Sequence, residues 1–205
     1  MKTLIFATGN PNKAREVREI LSGLDVRVLT MREAGLDLDI EENGTTFREN
    51  SLIKARAVFA VSGQAVLADD SGLEIDAFEG APGVLSSRFM GEDTPYPEKC
   101  AAILERMEDV PDEARGADFC CVMSFICPDK DGKAEEFTEE GAVYGRIAYA
   151  PYGTNGFGYD PIFYLPDRGK CMAELSDEEK NAISHRGLAL RAIKPHIVRW
   201  ITQEE

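Results

Sequence analysis

The opening thirty residues constrain the fold most, because their pattern predicts a strand, a loop, a helix and a second strand. Residues 4–7 form a short continuous apolar run, which is typical of a strand buried on both faces. Glycine and proline interrupt the pattern at residues 9–11, and apolar residues then recur at helical spacing from 14 to 21. A second apolar run at 26–29 follows. This βαβ unit predicts an α/β protein with parallel strands.

Helical and strand-like patterns continue to the end of the chain. Thr46 and Glu49 fit a capping box, and so do Ser176 and Glu179. The predicted helices cover 46–62, 96–107 and the segment after 176, which we expect to be interrupted at Gly187 and kinked near Pro195. The predicted strands cover 65–68, 119–127, 143–148 and 161–165, with a return strand at 73–77 after a turn. No repeat or linker is visible, so we predict one α/β domain with a mixed sheet over residues 1–205.

The formal charge of −14 excludes one class of function. A surface that binds nucleic acid polymers needs a basic footprint, whereas a mononucleotide can be held by a local cluster of cations and backbone N–H groups. The N-terminal apolar run is too short for a signal peptide, and no stretch is long enough to span a membrane. The five cysteines are odd in number and lack a C-x-x-C pair. We therefore expect a reduced, cytoplasmic protein without a membrane partner.

The loop between the first strand and helix has the composition of an anion site. It contains Thr8, Gly9, Asn10, Pro11, Asn12 and Lys13. A glycine allows close approach of the backbone, a helix N-terminus offers N–H groups, and Lys13 adds a full positive charge. The loop has neither a Walker A nor a dinucleotide-binding glycine pattern. An ordinary turn with a surface lysine is the alternative.

Two adjacent carboxylates follow the predicted strand at 65–68. Ligands of open α/β sheets bind beyond the carboxyl ends of the strands, which is where Asp69, Asp70 and Ser71 fall. Mg²⁺ binds through one or two carboxylates together with substrate phosphates. Glu41 and Glu42 could supply a further carboxylate. A polar turn and an acidic loop, respectively, are the alternatives.

Two later clusters could recognise a nucleoside. Residues 156–160 place Phe157 and Tyr159 among glycines, where aromatic rings could stack on a base; a glycine-rich hairpin is the alternative. His185 and Arg186 lie in a predicted helix break downstream of Lys180, and such a donor-rich corner suits carbonyl or phosphate oxygens.

In this order, the clusters resemble the Ham1/RdgB/ITPase family of non-canonical purine nucleoside triphosphate pyrophosphatases. The resemblance extends from about residue 3 to residue 190. The matching segments are Ala7-Thr-Gly-Asn-Pro-Asn-Lys13 with Glu16, Glu41-Glu-x-Gly-x-Thr-Phe-x-Glu-Asn50, Ala68-Asp-Asp-Ser-Gly-Leu73, Gly80-Ala-Pro-Gly83, Gly156-Phe-Gly-Tyr-Asp-Pro-Ile-Phe163, Ala173-Glu-Leu beside Glu179-Lys180, and Ala182-Ile-Ser-His-Arg-Gly187. Cys120, Cys121 and Asn155 depart from expectation but lie beside the motifs.

The resemblance implies an elongated α/β fold with a long central mixed sheet flanked by helices, an active-site cleft between two lobes, and a homodimer. It also implies hydrolysis of ITP, dITP or XTP to the monophosphate and pyrophosphate. By motif position, the residues from Thr8 to Lys13 would hold phosphates, and Glu41 with Asp70 would hold Mg²⁺. The remaining residues that would line the nucleoside pocket are Ser71, Phe157, Gly158, Tyr159, Asp160, Lys180, His185 and Arg186.

The predicted reaction is attack of water on the α-phosphorus, with Lys13 stabilising the leaving group. The resemblance makes Asp70 the general base, but the sequence itself leaves Asp69 and Asp70 open. Donors at His185 and Arg186 would donate hydrogen bonds to the O6 carbonyl of hypoxanthine or xanthine and be left unpaired against adenine. A pyrophosphatase with another base preference and a non-catalytic nucleotide sensor are the alternative functions.

Overall fold

The computed structural model describes residues 1–203, and its secondary structure is of the predicted α/β class. The helices are α1 (Pro11–Leu21), α2 (Phe47–Ser62), α3 (Tyr96–Arg106), α4 (Asp177–Ile183) and α5 (His185–Thr202). The strands are β1 (Lys2–Phe6), β2 (Val26–Thr30), β3 (Ala65–Ile75), β4 (Gly116–Pro128), β5 (Ala134–Ile147), β6 (Phe163–Leu165) and β7 (Lys170–Cys171). The seven strands form one mixed sheet in the order β2-β1-β3-β4-β5-β6-β7. The predicted mixed sheet is therefore confirmed.

The opening βαβ unit is also confirmed. β1 runs parallel to β2, with Ile5 opposite Leu29, and parallel to β3, with Ile5 opposite Val66. Strands β5, β6 and β7 pair in antiparallel fashion. Both predicted capping boxes are present, at the start of α2 and at the start of α4.

The chain divides into two compact units. Within the described residues, unit 1 comprises 1–70, 121–141 and 186–203, and unit 2 comprises 71–120 and 142–185. In unit 1, alternate residues of β1 and β3 face opposite sides, as strand geometry requires. One side packs Leu67 and its neighbours against α1 and α5, and the other packs Val66 and Ala68 against α2. In unit 2, α3 and the short segment around Tyr159 share a core with residues of β4 and β6.

Two predicted boundaries are wrong. The expected turn after Asp69 does not exist, because β3 continues unbroken from Ala65 to Ile75. The interruption expected at Gly187 lies instead at Ser184, whose extended backbone separates α4 from α5. Gly187 is inside α5, as is Pro195, and His185 and Arg186 begin that helix. None of the helices within residues 1–203 is long and apolar enough to cross a membrane.

Candidate active site

The loop before α1 is shaped by its own polar side chains. Asn10 is the N-cap of α1, and its Oδ1 accepts the N–H groups of Asn12 (2.9 Å) and Lys13 (3.4 Å). Thr8 Oγ1 accepts the N–H of Asn10 at 3.1 Å. The expectation that this helix N-terminus offers unpaired N–H groups is therefore wrong for residues 12 and 13, since Asn10 already satisfies both. The anion-binding capacity of the loop then depends chiefly on Lys13.

Asp69 is the centre of a buried ion-pair network on the α1 and α5 side of β3. Its Oδ2 lies 2.9 Å from Nζ of Lys13 and 3.2 Å from two guanidinium nitrogens of Arg186. The third guanidinium nitrogen of Arg186 donates to Glu16 at 2.7 Å. Burial raises the pKa of Asp69, but Lys13 and Arg186 outweigh this effect and hold the pKa below the usual carboxyl range. Asp69 is therefore an ionised counter-ion.

Asp70 lies on the opposite side of the strand, next to α2. Its Oδ2 accepts Nδ2 of Asn50 at 3.0 Å, and its Oδ1 lies 3.8 Å from Nζ of Lys54. Burial raises the pKa of Asp70 above its usual value, and Lys54 and Lys13 offset this only in part. Of the two adjacent carboxylates, Asp70 has the greater affinity for a proton.

Glu41 and Glu42 lie in a segment without regular secondary structure, whose residues alternate between exposed and partly buried. Glu42 points inward and accepts a hydrogen bond from Nζ of Lys54 at 2.7 Å, whereas Glu41 is exposed. Lys54 thus joins Glu42 to Asp70. Burial lowers the pKa of Lys54, but the neighbouring carboxylates outweigh it and leave the pKa raised.

In unit 2, Asp160 and Lys180 form a buried ion pair. Nζ of Lys180 lies 2.7 Å from Oδ2 of Asp160 and 4.6 Å from the centre of the Phe157 ring. The same Asp160 oxygen accepts the N–H of Phe157 at 2.8 Å. Gly156 has φ +74°, and a side chain there would approach the Asp160 carboxylate to 2.1 Å. The glycine-rich segment is therefore folded tightly around Asp160, and Phe157 and Gly158 remain partly exposed.

Two residues predicted to line a nucleoside pocket are buried and contact other aromatic rings. The Tyr159 ring is buried edge-on against Tyr96, and its hydroxyl donates to the carbonyl of Ser86 at 2.8 Å. Stacking of Tyr159 on a base stays a prediction, and its ring also packs in the core of unit 2. His185 is 5% exposed and stacks on Phe119, with ring centres 4.7 Å apart.

Three further metal-ligating side chains converge in unit 2, within the described residues. They are Glu74, Asp118 and Cys120, whose ligand atoms lie within 4.8 Å of one another. The Cys120 thiol donates to Oδ2 of Asp118, and burial together with these carboxylates raises its pKa. A thiol that keeps its proton is a poor metal ligand. This group does not include the predicted ligands Glu41 and Asp70.

Sequence reasoning missed three side chains of the unit 1 cluster. Lys54 has the pattern of a surface lysine on an amphipathic helix, and its side chain is only 11% exposed. Glu16 is 3% exposed and Asn50 is fully buried, although both belong to the quoted motifs. The available signal was helical spacing, since Asn50 and Lys54 are one turn apart and share a face of α2.

The chain was compared with protein families, curated proteins and solved structures. The model of the Ham1 family matches residues 4–196. A dITP/XTP pyrophosphatase of Clostridium perfringens is 42% identical over 203 residues, which cover 96% of this chain and 98% of the relative. Another of the same name from Caldanaerobacter subterraneus is 45% identical, covering 99% and 100%.

Structural comparison gives the same result. The structure of a HAM1 protein from Coxiella burnetii matches with a TM-score of 0.85 and 41% identity, covering 97% of this chain and all of the other. The family model extends from β1 into α5 and so includes both side-chain clusters described above. On these grounds, the chain belongs to the Ham1 family.

Proposed function

We propose that this protein hydrolyses non-canonical purine nucleoside triphosphates, namely ITP, dITP and XTP, to the monophosphate and pyrophosphate. Removal of these nucleotides cleanses the cellular pool. Relatives at 42% and 45% identity bear the name dITP/XTP pyrophosphatase. The observation that carries the proposal is the convergence of two ammonium groups and two carboxylates where β3 passes α1 and α2.

The different partners and pKa shifts of Asp69 and Asp70 support different roles for the two residues in the reaction. Asp69 holds Lys13 at 2.9 Å, so it fixes an ammonium group that can neutralise phosphate charge. Asp70 has a raised pKa and is therefore the better proton acceptor. Asp70 takes a proton from water as the water oxygen bonds to the α-phosphorus. The bond from that phosphorus to the bridging oxygen then breaks, and pyrophosphate leaves with its charge stabilised by Lys13 and Lys54.

The acidic residues around Asp70 suit a Mg²⁺ ion. By motif position we assign Glu41 and Asp70 as the ligands, whereas Glu42 is already paired with Lys54. The Lys54 ammonium lies 3.8 Å from Oδ1 of Asp70, and this approach of one cation supports Asp70 as a ligand of another. Bound Mg²⁺ would neutralise phosphate charge and lower the pKa of a coordinated water.

The base is assigned to the residues of unit 2. Phe157 is the more exposed of the two aromatic candidates for stacking, and Lys180 lies against its ring. We propose that Phe157, Lys180 and His185 recognise the purine. Arg186 also belongs to the residues predicted to line the nucleoside pocket. Its ion pairs with Asp69 and Glu16 give it a second role, because they hold the side-chain cluster that we assign to the phosphates.

A turnover panel tests the proposed function. ITP, dITP, XTP, GTP and ATP are incubated with and without Mg²⁺, and monophosphate, pyrophosphate and orthophosphate are quantified. We expect equal amounts of monophosphate and pyrophosphate from ITP, dITP and XTP, only with Mg²⁺, and little product from ATP. Turnover of GTP or ATP in place of ITP, dITP and XTP would indicate another base preference, and binding without turnover would indicate a sensor.

We also propose a cytoplasmic homodimer. The resemblance supports the dimer, and the five buried, unbridged thiols suit a reducing compartment. Sedimentation equilibrium would test the assembly, and a mass equal to that of one chain would refute it.

A further inference from the structure

One buried side chain joins the acidic segment before α2 to Asp70. Asn50 has no exposed surface. Its Nδ2 donates to Oδ2 of Asp70 at 3.0 Å, and its Oδ1 accepts the backbone N–H of Gly44 at 2.8 Å. Because both ends of the amide are engaged, its orientation is fixed. The reversed amide would place an oxygen against a carboxylate and an NH₂ group against an N–H.

Gly44 permits this contact. A side chain at residue 44 would come within 2.7 Å of Oδ1 of Asn50 and within 2.7 Å of Cβ of Glu49. Only glycine lets the backbone come close enough for its N–H to reach the amide. The segment that contains Glu41 and Glu42 is therefore anchored to Asn50 at Gly44.

Asn50 and Lys54 each lie next to a different oxygen of the Asp70 carboxylate. They are four residues apart on α2, so their side chains lie on the same face of the helix. Asn50 donates to Oδ2, while Nζ of Lys54 lies 3.8 Å from Oδ1. Oδ2 of Asp70 is thus held by the neutral amide of Asn50, and Oδ1 faces the charged ammonium group of Lys54.

We propose that Asn50 is a positioning residue for the reaction: it fixes Asp70 through Oδ2, leaves Oδ1 to act on the reacting water, and holds the Glu41–Glu42 segment at a constant distance from Asp70, so that Glu41 and Asp70 together would hold Mg²⁺. This inference rests on the proposed hydrolytic function. Asn50 touches neither substrate nor water in this role and acts through Asp70 alone. A purely structural amide would affect folding and leave turnover unchanged.

The test compares Asn50→Ala with Ser51→Ala. Ser51 is the next residue of α2, is also fully buried, and shares a 2.6 Å hydrogen bond with Ser124, so its replacement is a matched loss of a buried contact. The readouts are kcat and KM for ITP, the melting temperature, and Mn²⁺ affinity of the nucleotide-free protein by electron paramagnetic resonance. Asn50→Asp, which keeps the shape and the acceptor but loses the donor, is the second variant.

We expect Asn50→Ala to lower kcat and Mn²⁺ affinity by about 10- to 100-fold, with KM for ITP within about threefold of wild type. Ser51→Ala should keep kcat and Mn²⁺ affinity within about threefold, although its melting temperature falls. Unchanged kcat and Mn²⁺ affinity in Asn50→Ala would overturn the inference, as would equal losses in both variants.

If Asn50→Ala does not fold, Asn50→Asp takes its place. A lowered kcat of Asn50→Asp would then support the inference, and an unchanged kcat would overturn it. A wild-type protein that does not hydrolyse ITP would refute the proposed function instead. The Mn²⁺ comparison would then still decide whether Asn50 positions Asp70.

Discussion

Asp69 and Asp70 are neighbours in one strand, yet they lie in opposite electrostatic environments. On the α1 and α5 side, Asp69 is paired with Lys13 and Arg186, and its pKa is lowered. On the α2 side, Asp70 has an amide and a more distant ammonium group for partners, and its pKa is raised. The same residue type thus has a lowered pKa as a counter-ion on one side and a raised pKa on the other, where we propose that it accepts a proton.

The difference arises from strand geometry. Successive side chains of a strand point to opposite faces, so one pair of aspartates meets two sets of helices. The partners of Asp69 come from the starts of α1 and α5, and those of Asp70 come from α2. Adjacent carboxylates therefore need not share a function. Variants of Asp69 and Asp70 compare the two sides of this strand, and variants of Phe157 and Tyr159 test unit 2.

The largest expected effect is that of Asp70→Asn on turnover. Loss of the general base should lower kcat for ITP by about 10²- to 10⁴-fold, because an amide cannot accept the proton. Stability should change by no more than about 1 kcal/mol, since the carboxylate removed is one that burial disfavours. Steady-state kinetics and urea denaturation measure the two quantities. A variant with near wild-type kcat would remove Asp70 from the mechanism.

Asp69→Asn should affect stability more than Asp70→Asn does. It removes the carboxylate shared by Lys13 and Arg186, and breaking a buried ion pair costs about 3–5 kcal/mol. Urea denaturation of both variants gives the comparison directly. Equal stability of the two would contradict the assignment of Asp69 as the structural partner.

In unit 2, Phe157→Ala tests base stacking. Loss of one stacking surface should raise KM for ITP by about tenfold and leave kcat little changed. Tyr159→Phe is the matched control, because it removes only a buried hydrogen bond to Ser86 and should cost about 1 kcal/mol of stability without changing KM. A larger KM effect from Tyr159→Phe would reverse the two assignments.

The smallest expected effect is a difference in acid stability. Because the pKa of Asp69 is lower in the folded chain than in the unfolded chain, its stabilisation is complete above the unfolded value of about 3.9 and declines as the pH falls toward the folded value. Between about pH 6 and pH 3, wild type should lose about 1 kcal/mol more than Asp69→Asn. Parallel urea titrations at each pH would show this, and identical pH dependence would contradict it.

Local patterns of the sequence predicted much of the fold. The capping boxes at Thr46 and Ser176 depend on residues three positions apart, so they were visible without tertiary information. The continuation of β3 was not, because adjacent aspartates with serine and glycine favour a turn. What keeps that segment extended includes Arg186, which is 117 residues away in the chain.

For the candidate site, too, local sequence patterns predicted only some of the residues. Lys13 and the aspartate pair were identified from their positions at element ends, where ligands commonly bind. Lys54 and Asn50 lie inside a helix, where their residue types fit an exposed or neutral position, and only burial reveals their contacts. The burial of Tyr159 was not visible in the sequence, because its glycine neighbours indicate an open loop, whereas its ring packs on Tyr96.

The most direct test of the account is hydrolysis of ITP in ¹⁸O-labelled water, with both products analysed by mass spectrometry. Attack on the α-phosphorus by water deprotonated at Asp70 predicts one ¹⁸O atom in the inosine monophosphate and none in the pyrophosphate. Label in the pyrophosphate, or orthophosphate as the first product, would show that water attacks a different phosphorus and would contradict the proposed mechanism.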